Sequence, residues 1–141
     1  MTERTEVRFK IYNKTNNTVS ANSVIPFNEV DFNVGGLYDI STYIYTFLVA
    51  GTYMIGESHN KIETNQGELQ FRLLRGGITR IISRVHNTNG FSDETLNSCL
   101  IYKFEVNDIL FCVSDSSPQM NNFSYTTNDI YNSFWGIRLD Y

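Results

Sequence analysis

From Glu6 to Tyr12 apolar and polar side chains alternate, with Val7, Phe9 and Ile11 on one side and Glu6, Arg8 and Lys10 on the other. A period of two is the mark of a strand with one face buried. Asn13 to Asn22 is a polar connection. The stretch from Phe27 to Ile55 then reads as strand, turn, strand, loop, strand. In it Tyr38 and Asp39 close the turn, Tyr45 sits in the next strand, and Gly51-Thr52-Tyr53 opens the last. Gly35-Gly36 supplies the positive φ of a tight reversal. Gly51, between two apolar runs, marks a bend or a close approach of backbone. The strand from Thr52 to Ile62 turns polar at Glu57-Ser58-His59-Asn60.

Glu68 to Ile82 reads as two strands about Gly76-Gly77, a pair that suits a tight hairpin. Leu69, Phe71 and Leu73 share one face. Arg72, Arg75, Arg80 and Arg84 form a basic cluster, either a solvated strand face or a contact for an acidic partner or a neighbouring subunit. His86 to Glu94 is a loop. Alternation returns from Leu96 to Val106, with Leu96, Ser98, Leu100, Tyr102, Phe104 and Val106 on one face. Asn107-Asp108 turns the chain into a further strand, Ile109 to Val113. Ser114 to Asn132 is a long polar loop with Pro118, and Ser133 to Tyr141 is the last strand. Short strands separated by turn residues predict an antiparallel all-β domain.

The spacing within the central stretch carries a resemblance. Phe27, Asn33, Tyr38, Tyr45, Gly51, Tyr53 and Ile55 fall at the intervals of the signature of the C1q/TNF-like superfamily, with Tyr45 and Ile55 standing where that signature has phenylalanine. Ile101 to Asp108 is similar to the family's apolar strand ending in Gly-Asp. There Asn107 takes the glycine place, and Asn tolerates φ > 0 better than most residues. Ser133-Phe134-Trp135-Gly136 resembles the closing Ser-x-Phe-x-Gly strand, so Phe104, Phe134 and Gly136 join the signature set. The resemblance implies a ten-stranded antiparallel jelly-roll β-sandwich over residues 1–141, and a homotrimer around a threefold axis.

Composition is consistent with one such domain. A chain of 141 residues buries about 70% of its unfolded surface. Ten Phe, nine Tyr and one Trp favour strands, and sixteen Asn favour turns. Twenty aromatics also suggest flat apolar area left over for an interface, with Tyr53, Tyr102 and Phe134 the candidates for core or trimer contact. A net charge of −4 argues against a nucleic-acid partner. The apolar run from Tyr43 to Ala50 is too short to span a bilayer, and Met1-Thr2-Glu3-Arg4 leads into no signal-peptide core. Without such a signal, the sequons at Asn13, Asn16 and Asn122 are expected to go unused.

Candidate chemistry is sparse. If Asn107-Asp108 is a two-residue hairpin turn, Cys112 faces Lys103 and Cys99 faces Ser116, which is too far out of register for a disulfide. Both cysteines are then expected to be buried free thiols. His59 and His86 stand alone, and no nucleophile elbow, phosphate loop, CxxC or HExxH occurs. A non-enzyme is expected, with no cofactor. The resemblance brings one metal candidate, since some relatives bind calcium with carboxylates in the loop before the Gly-Asp strand. Here that loop holds Asp93 and Glu94, against the alternative of a solvated acidic loop.

The function implied is a trimeric head displayed on a virion, spore or cell surface, binding a receptor or glycan through apical loops at His86–Glu94 or Ser114–Asn132. The alternatives are a structural trimerisation module of a fibre or shell and a TNF-like signalling ligand.

Overall fold

The computed structural model describes residues 5–13, 18–19, 22–61, 67–87, 94–114, 123–124 and 132–140. Among these the strands are β1 Arg8–Tyr12, β2 Thr18–Val19, β3 Ser23–Val24, β4 Glu29–Val34, β5 Gly36–Asp39, β6 Ile44–Phe47, β7 Gly51–Lys61, β8 Gly67–Arg75, β9 Ile78–Asn87, β10 Glu94–Phe104, β11 Ile109–Ser114, β12 Phe123–Ser124 and β13 Ser133–Arg138. Ten of them run to four residues or more. They form two antiparallel sheets, ordered β10-β7-β13-β1-β4 and β5-β6-β11-β8-β9, with β3 paired to β11 and a separate β12-β2 ribbon. This is the expected jelly-roll sandwich.

The alternation read from sequence places the core. Val7, Phe9 and Ile11 are buried from the first sheet, and Leu69, Phe71 and Leu73 from the second. Between them the aromatic rings pack as one run. Phe9 stacks on Tyr45 at 3.8 Å and meets Phe134 edge-on at 5.0 Å. Tyr45 meets Phe47 edge-on, and Phe47 stacks on Phe104 at 3.9 Å with the planes 8° apart. Phe9, Phe27, Tyr45, Phe47, Tyr53, Phe71, Phe104 and Phe134 are each at most 1% exposed. Eight of the twenty aromatics therefore fill the interior, because a core between two sheets absorbs large flat side chains readily.

The signature residues hold one another. Asn33 Nδ2 donates to the Gly36 carbonyl at 3.0 Å and closes the β4–β5 turn. Tyr38 Oη donates to the Phe27 carbonyl at 2.7 Å. Gly35 has φ +76°, as the turn requires, whereas Gly36 is needed for space: a Cβ there would fall on the Tyr45 hydroxyl. Gly51 admits Arg138 and Asp140, which a Cβ would meet at 2.5 Å, and Asp140 accepts the Thr52 N–H at 2.8 Å. Gly136 leaves room for the Phe9 ring.

Some local expectations are corrected. Tyr38 lies in a strand of its own, β5, so the central stretch holds four strands where three were read. Val106 leaves the alternating face and is 53% exposed beyond the end of β10. His86 and Asn87 belong to β9 and Glu94 to β10, so the connecting loop is shorter than His86–Glu94. β2 and β12 occupy stretches read as polar connections.

The turn at Asn107-Asp108 is also not a hairpin. β10 pairs with β7 in the first sheet, and β11 pairs with β6 and β8 in the second. The turn carries the chain from one sheet to the other, with Asn107 at φ +71°. Cys99 and Cys112 are free, as expected, but the reason is that they sit on strands of opposite sheets. Cys112 is buried, whereas Cys99 is exposed.

Tyr45 yields a first testable outcome. Its side chain is fully buried and its hydroxyl has no hydrogen-bond partner among the described residues. Burial pushes its pKa up. An unpartnered buried hydroxyl costs about 1–3 kcal/mol, so Tyr45→Phe, which keeps the ring stack, should raise stability by about 1 kcal/mol. A urea midpoint unchanged or lowered would show that the hydroxyl has a partner after all.

Candidate association face

Strand parity that sends Phe9, Tyr53, Ile55 and Phe134 inward sends their neighbours outward. Across the first sheet, Ile101, Met54, Ile137, Arg8 and Val34 form one cross-strand row on the outer face. Cys99, Gly56, Trp135, Lys10 and Phe32 form the next. Ile101 is 64% exposed, Val34 37% and Phe32 36%, while Met54, Trp135 and Ile137 are half-buried. A solvated sheet face normally carries polar side chains in these places. Here two adjoining rows are apolar across most of the sheet, a pattern that marks an interaction surface.

Local packing shapes this face. The Trp135 indole covers Gly56, where a Cβ would come within 2.3 Å of the ring. Between Trp135 and Phe32 lies a groove of about 410 Å³, with Phe9 and Gly136 at its floor and Arg8, Lys10, Ser133 and Ile137 along it. The Arg8 guanidinium sits 5.2 Å above the Phe32 ring and pairs with Glu6 at 2.6 Å. Lys10 reaches Asp31 at 3.8 Å. Such a site can bind apolar side chains flanked by charge, and it holds no nucleophile paired with a base.

The trimer-contact candidates separate. Tyr53 (0% exposed) and Phe134 (1%) lie inside the sandwich and have no surface to offer a second copy. Tyr102 is half-buried on the edge strand β10, its ring 5.1 Å from Phe104. The signal for the true outer residues was in the same strands: Met54 beside Tyr53, and Trp135 and Ile137 flanking Gly136, have the opposite parity. Asp93 lies outside the described residues, as does the Glu94 side chain, and no cluster of three metal-ligating side chains occurs among the described residues. Most of the Ser114–Asn132 loop is outside them too.

The basic cluster does not act as a unit. Arg75 is drawn away to the turn between the sheets, where its Nε and Nη2 donate to the Asp108 carboxylate at 2.9 and 2.5 Å. That carboxylate holds the guanidinium charged well past its ordinary range. Arg84 pairs with Glu68 at 2.7 Å, and Arg72 donates to Gln70 at 2.9 Å. Arg80 is left exposed on the edge strand β9.

In the sequence His59 stands alone, with no second histidine or cysteine beside it. It is sealed in the core, its Nε2 3.2 Å from Glu57 Oε2, with both side chains 0% exposed. The Cys112 thiol faces the same carboxylate, and burial, then Glu57, pushes its pKa well up. Tyr53, Ile55, Glu57 and His59 share one parity on β7, which is what turns the pair inward.

No protein-family model matches the sequence, and no curated protein matches it. Solved structures do match by shape. The Eiger TNF from S. frugiperda superposes with a TM-score of 0.80 at 9% identity, covering 97% of this chain and 94% of that one. The globular domain of the zebrafish complement 1qA protein gives 0.77 at 11% identity, covering 96% and 98%. Murine APRIL gives 0.67 at 12%, covering 95% and 99%. The fold is C1q/TNF-like over nearly the whole chain.

Proposed function

We propose that this chain is a non-enzymatic homotrimeric recognition head, displayed on a surface and binding a receptor or glycan through its apical loops. The observation that carries the reading is the apolar outer face of the first sheet. Ile101, Met54, Trp135, Ile137, Phe32 and Val34 lie there exposed or half-exposed, with no strand among the described residues packed over them. Burying that face against further copies removes it from water at about 25 cal/mol per Å². Three identical heads also multiply weak loop contacts by avidity. The TNF and C1q names of the structural neighbours support a ligand or recognition module over an enzyme.

Sedimentation of the purified chain at micromolar concentration should give three times the chain mass. Ile101→Glu puts a charge on the most exposed of these residues and should give a folded monomer that loses binding to cells or a glycan array. A monomeric parent chain would sink the reading. A trimer that binds neither cells nor glycans would favour the structural module. The half-buried apolar residues Ile109, Phe111 and Leu74 on the outer face of the second sheet would suit such a module, as a second contact within a shell or fibre.

A further inference from the structure

We infer that two copies pack back to back through the outer face of the second sheet, about a twofold axis that sets Asp39 of each against Arg72 of the other. The inference rests on the structural-module reading above, which places a contact on that face, and not on the first sheet or its trimer. The parity that turns Tyr45, Phe71 and Leu110 inward turns two largely apolar rows outward. One runs Leu37, Thr46, Ile109 and Leu74 across β5, β6, β11 and β8. The next runs Asp39, Ile44, Phe111 and Arg72 across the same strands. Leu37 is 55% exposed. Ile44, Ile109, Phe111 and Leu74 are half-buried, with no strand among the described residues laid over them.

The ends of the second row are opposite in charge, and both are held in place. Asp39 accepts the Ser41 hydroxyl at 2.6 Å and the Ser41 N–H at 2.8 Å, and these bonds keep its carboxyl below the usual carboxylate range. At the other end, Arg72 Nε donates to Gln70 Oε1 at 2.9 Å, and Gln70 Nε2 donates to Glu68 at 2.8 Å. Gln70 is 0% exposed, so this ladder along β8 is anchored. Charges already positioned lose less freedom when a partner arrives.

Symmetry selects a second copy as the occupant. A twofold contact uses the same patch on both copies, so the patch must complement itself. A row with an acid at one end and a base at the other does so. With the axis between the two faces, along the strands and over the β6–β11 seam, each row meets its own reverse. Asp39 then lies against Arg72, Ile44 against Phe111, Leu37 against Leu74 and Thr46 against Ile109. Aligned sheet faces pack together in this way inside sandwiches. An axis across the strands would set Asp39 against Asp39 and Arg72 against Arg72, which like charge disfavours. An overlap of four strands is a small contact on its own, and three such faces on one trimer multiply it.

Sedimentation over rising concentration tests this. The parent should form species heavier than the trimer, and Leu37→Glu should stop at the trimer. Ile101→Glu, which breaks the trimer contact, should pass from monomer to dimer. Asp39→Arg alone and Arg72→Asp alone should each weaken the back-to-back contact about tenfold or more, because each sets like charges together twice. The two variants mixed in equal amounts should regain it, since the mixed pair matches at both sites, and so should one chain carrying both changes. Thermal unfolding of each variant separates lost assembly from lost folding, and Leu37→Glu keeps the test decisive if a charge variant fails to fold. A parent that never exceeds the trimer would overturn both this contact and the module reading it rests on. A parent that exceeds the trimer, with single charge variants that do so equally, would overturn the twofold pairing alone. A parent that stops at a dimer abolished by Leu37→Glu would support the contact and remove the trimer reading instead.

Discussion

Phe47→Ala should cost about 4 kcal/mol of folding stability, the largest loss expected from a single side chain in this domain. Phe47 is fully buried at the end of β6. It stacks on Phe104 from the first sheet at 3.9 Å and meets Tyr53 edge-on at 4.9 Å, also from the first sheet, and Tyr45 at 5.0 Å from its own. Truncation removes the transfer energy of a ring and leaves a cavity that neither sheet can close alone. A domain of this size is stable by roughly 5–15 kcal/mol, so the variant should fold with a much lower urea midpoint. Phe47→Leu should lose about half as much. A cost for Phe47→Ala below about 1.5 kcal/mol would show that the ring run does not tie the sheets together.

Asp108→Ala should cost about 3 kcal/mol by a different route. The Asp108 side chain is 2% exposed and accepts from both Arg75 nitrogens and from the Glu105 N–H at 2.7 Å. Its backbone carbonyl accepts the Phe47 N–H at 2.9 Å. Without the carboxylate, the Glu105 N–H loses its acceptor and the half-buried guanidinium keeps only the Lys103 carbonyl and the more distant Glu105 carboxylate. Asp108→Asn keeps an acceptor for Glu105 but loses the charge opposite Arg75, so about half the loss is expected. Equal losses from the Asn and Ala variants would mean that the ion pair alone matters, and no loss from either would mean that the turn holds itself.

Where local conformation decides the outcome, the chain's own letters suffice. Alternation located β1, and Gly76-Gly77, at φ +57° and +77°, located the β8–β9 hairpin. Asn107 takes the positive φ that the family's glycine position implied. The crossing between sheets was illegible for a physical reason. A short turn flanked by alternating strands reads the same whether the strands pair or part. At the turn itself Asp108 pairs with Arg75, 33 residues away, a contact that no local pattern announces. Parity could have placed Glu57 and His59 inside and Trp135 and Ile137 outside. It was overridden by the general rule that charged residues face water and aromatics face the core.

One consequence of the strand order concerns timing. β13 lies between β7 and β1, pairing Phe9 with Gly136 and Ile55 with the same residue. The first strand of the first sheet thus has its inner neighbour in the last strand of the same sheet. Closure of the sheet must wait until β13 has been made, and the loop-closure entropy of so distant a pairing slows it further. Until then the inward side of β1 stays wet, and the nascent chain is most exposed to capture by chaperones or by other nascent copies.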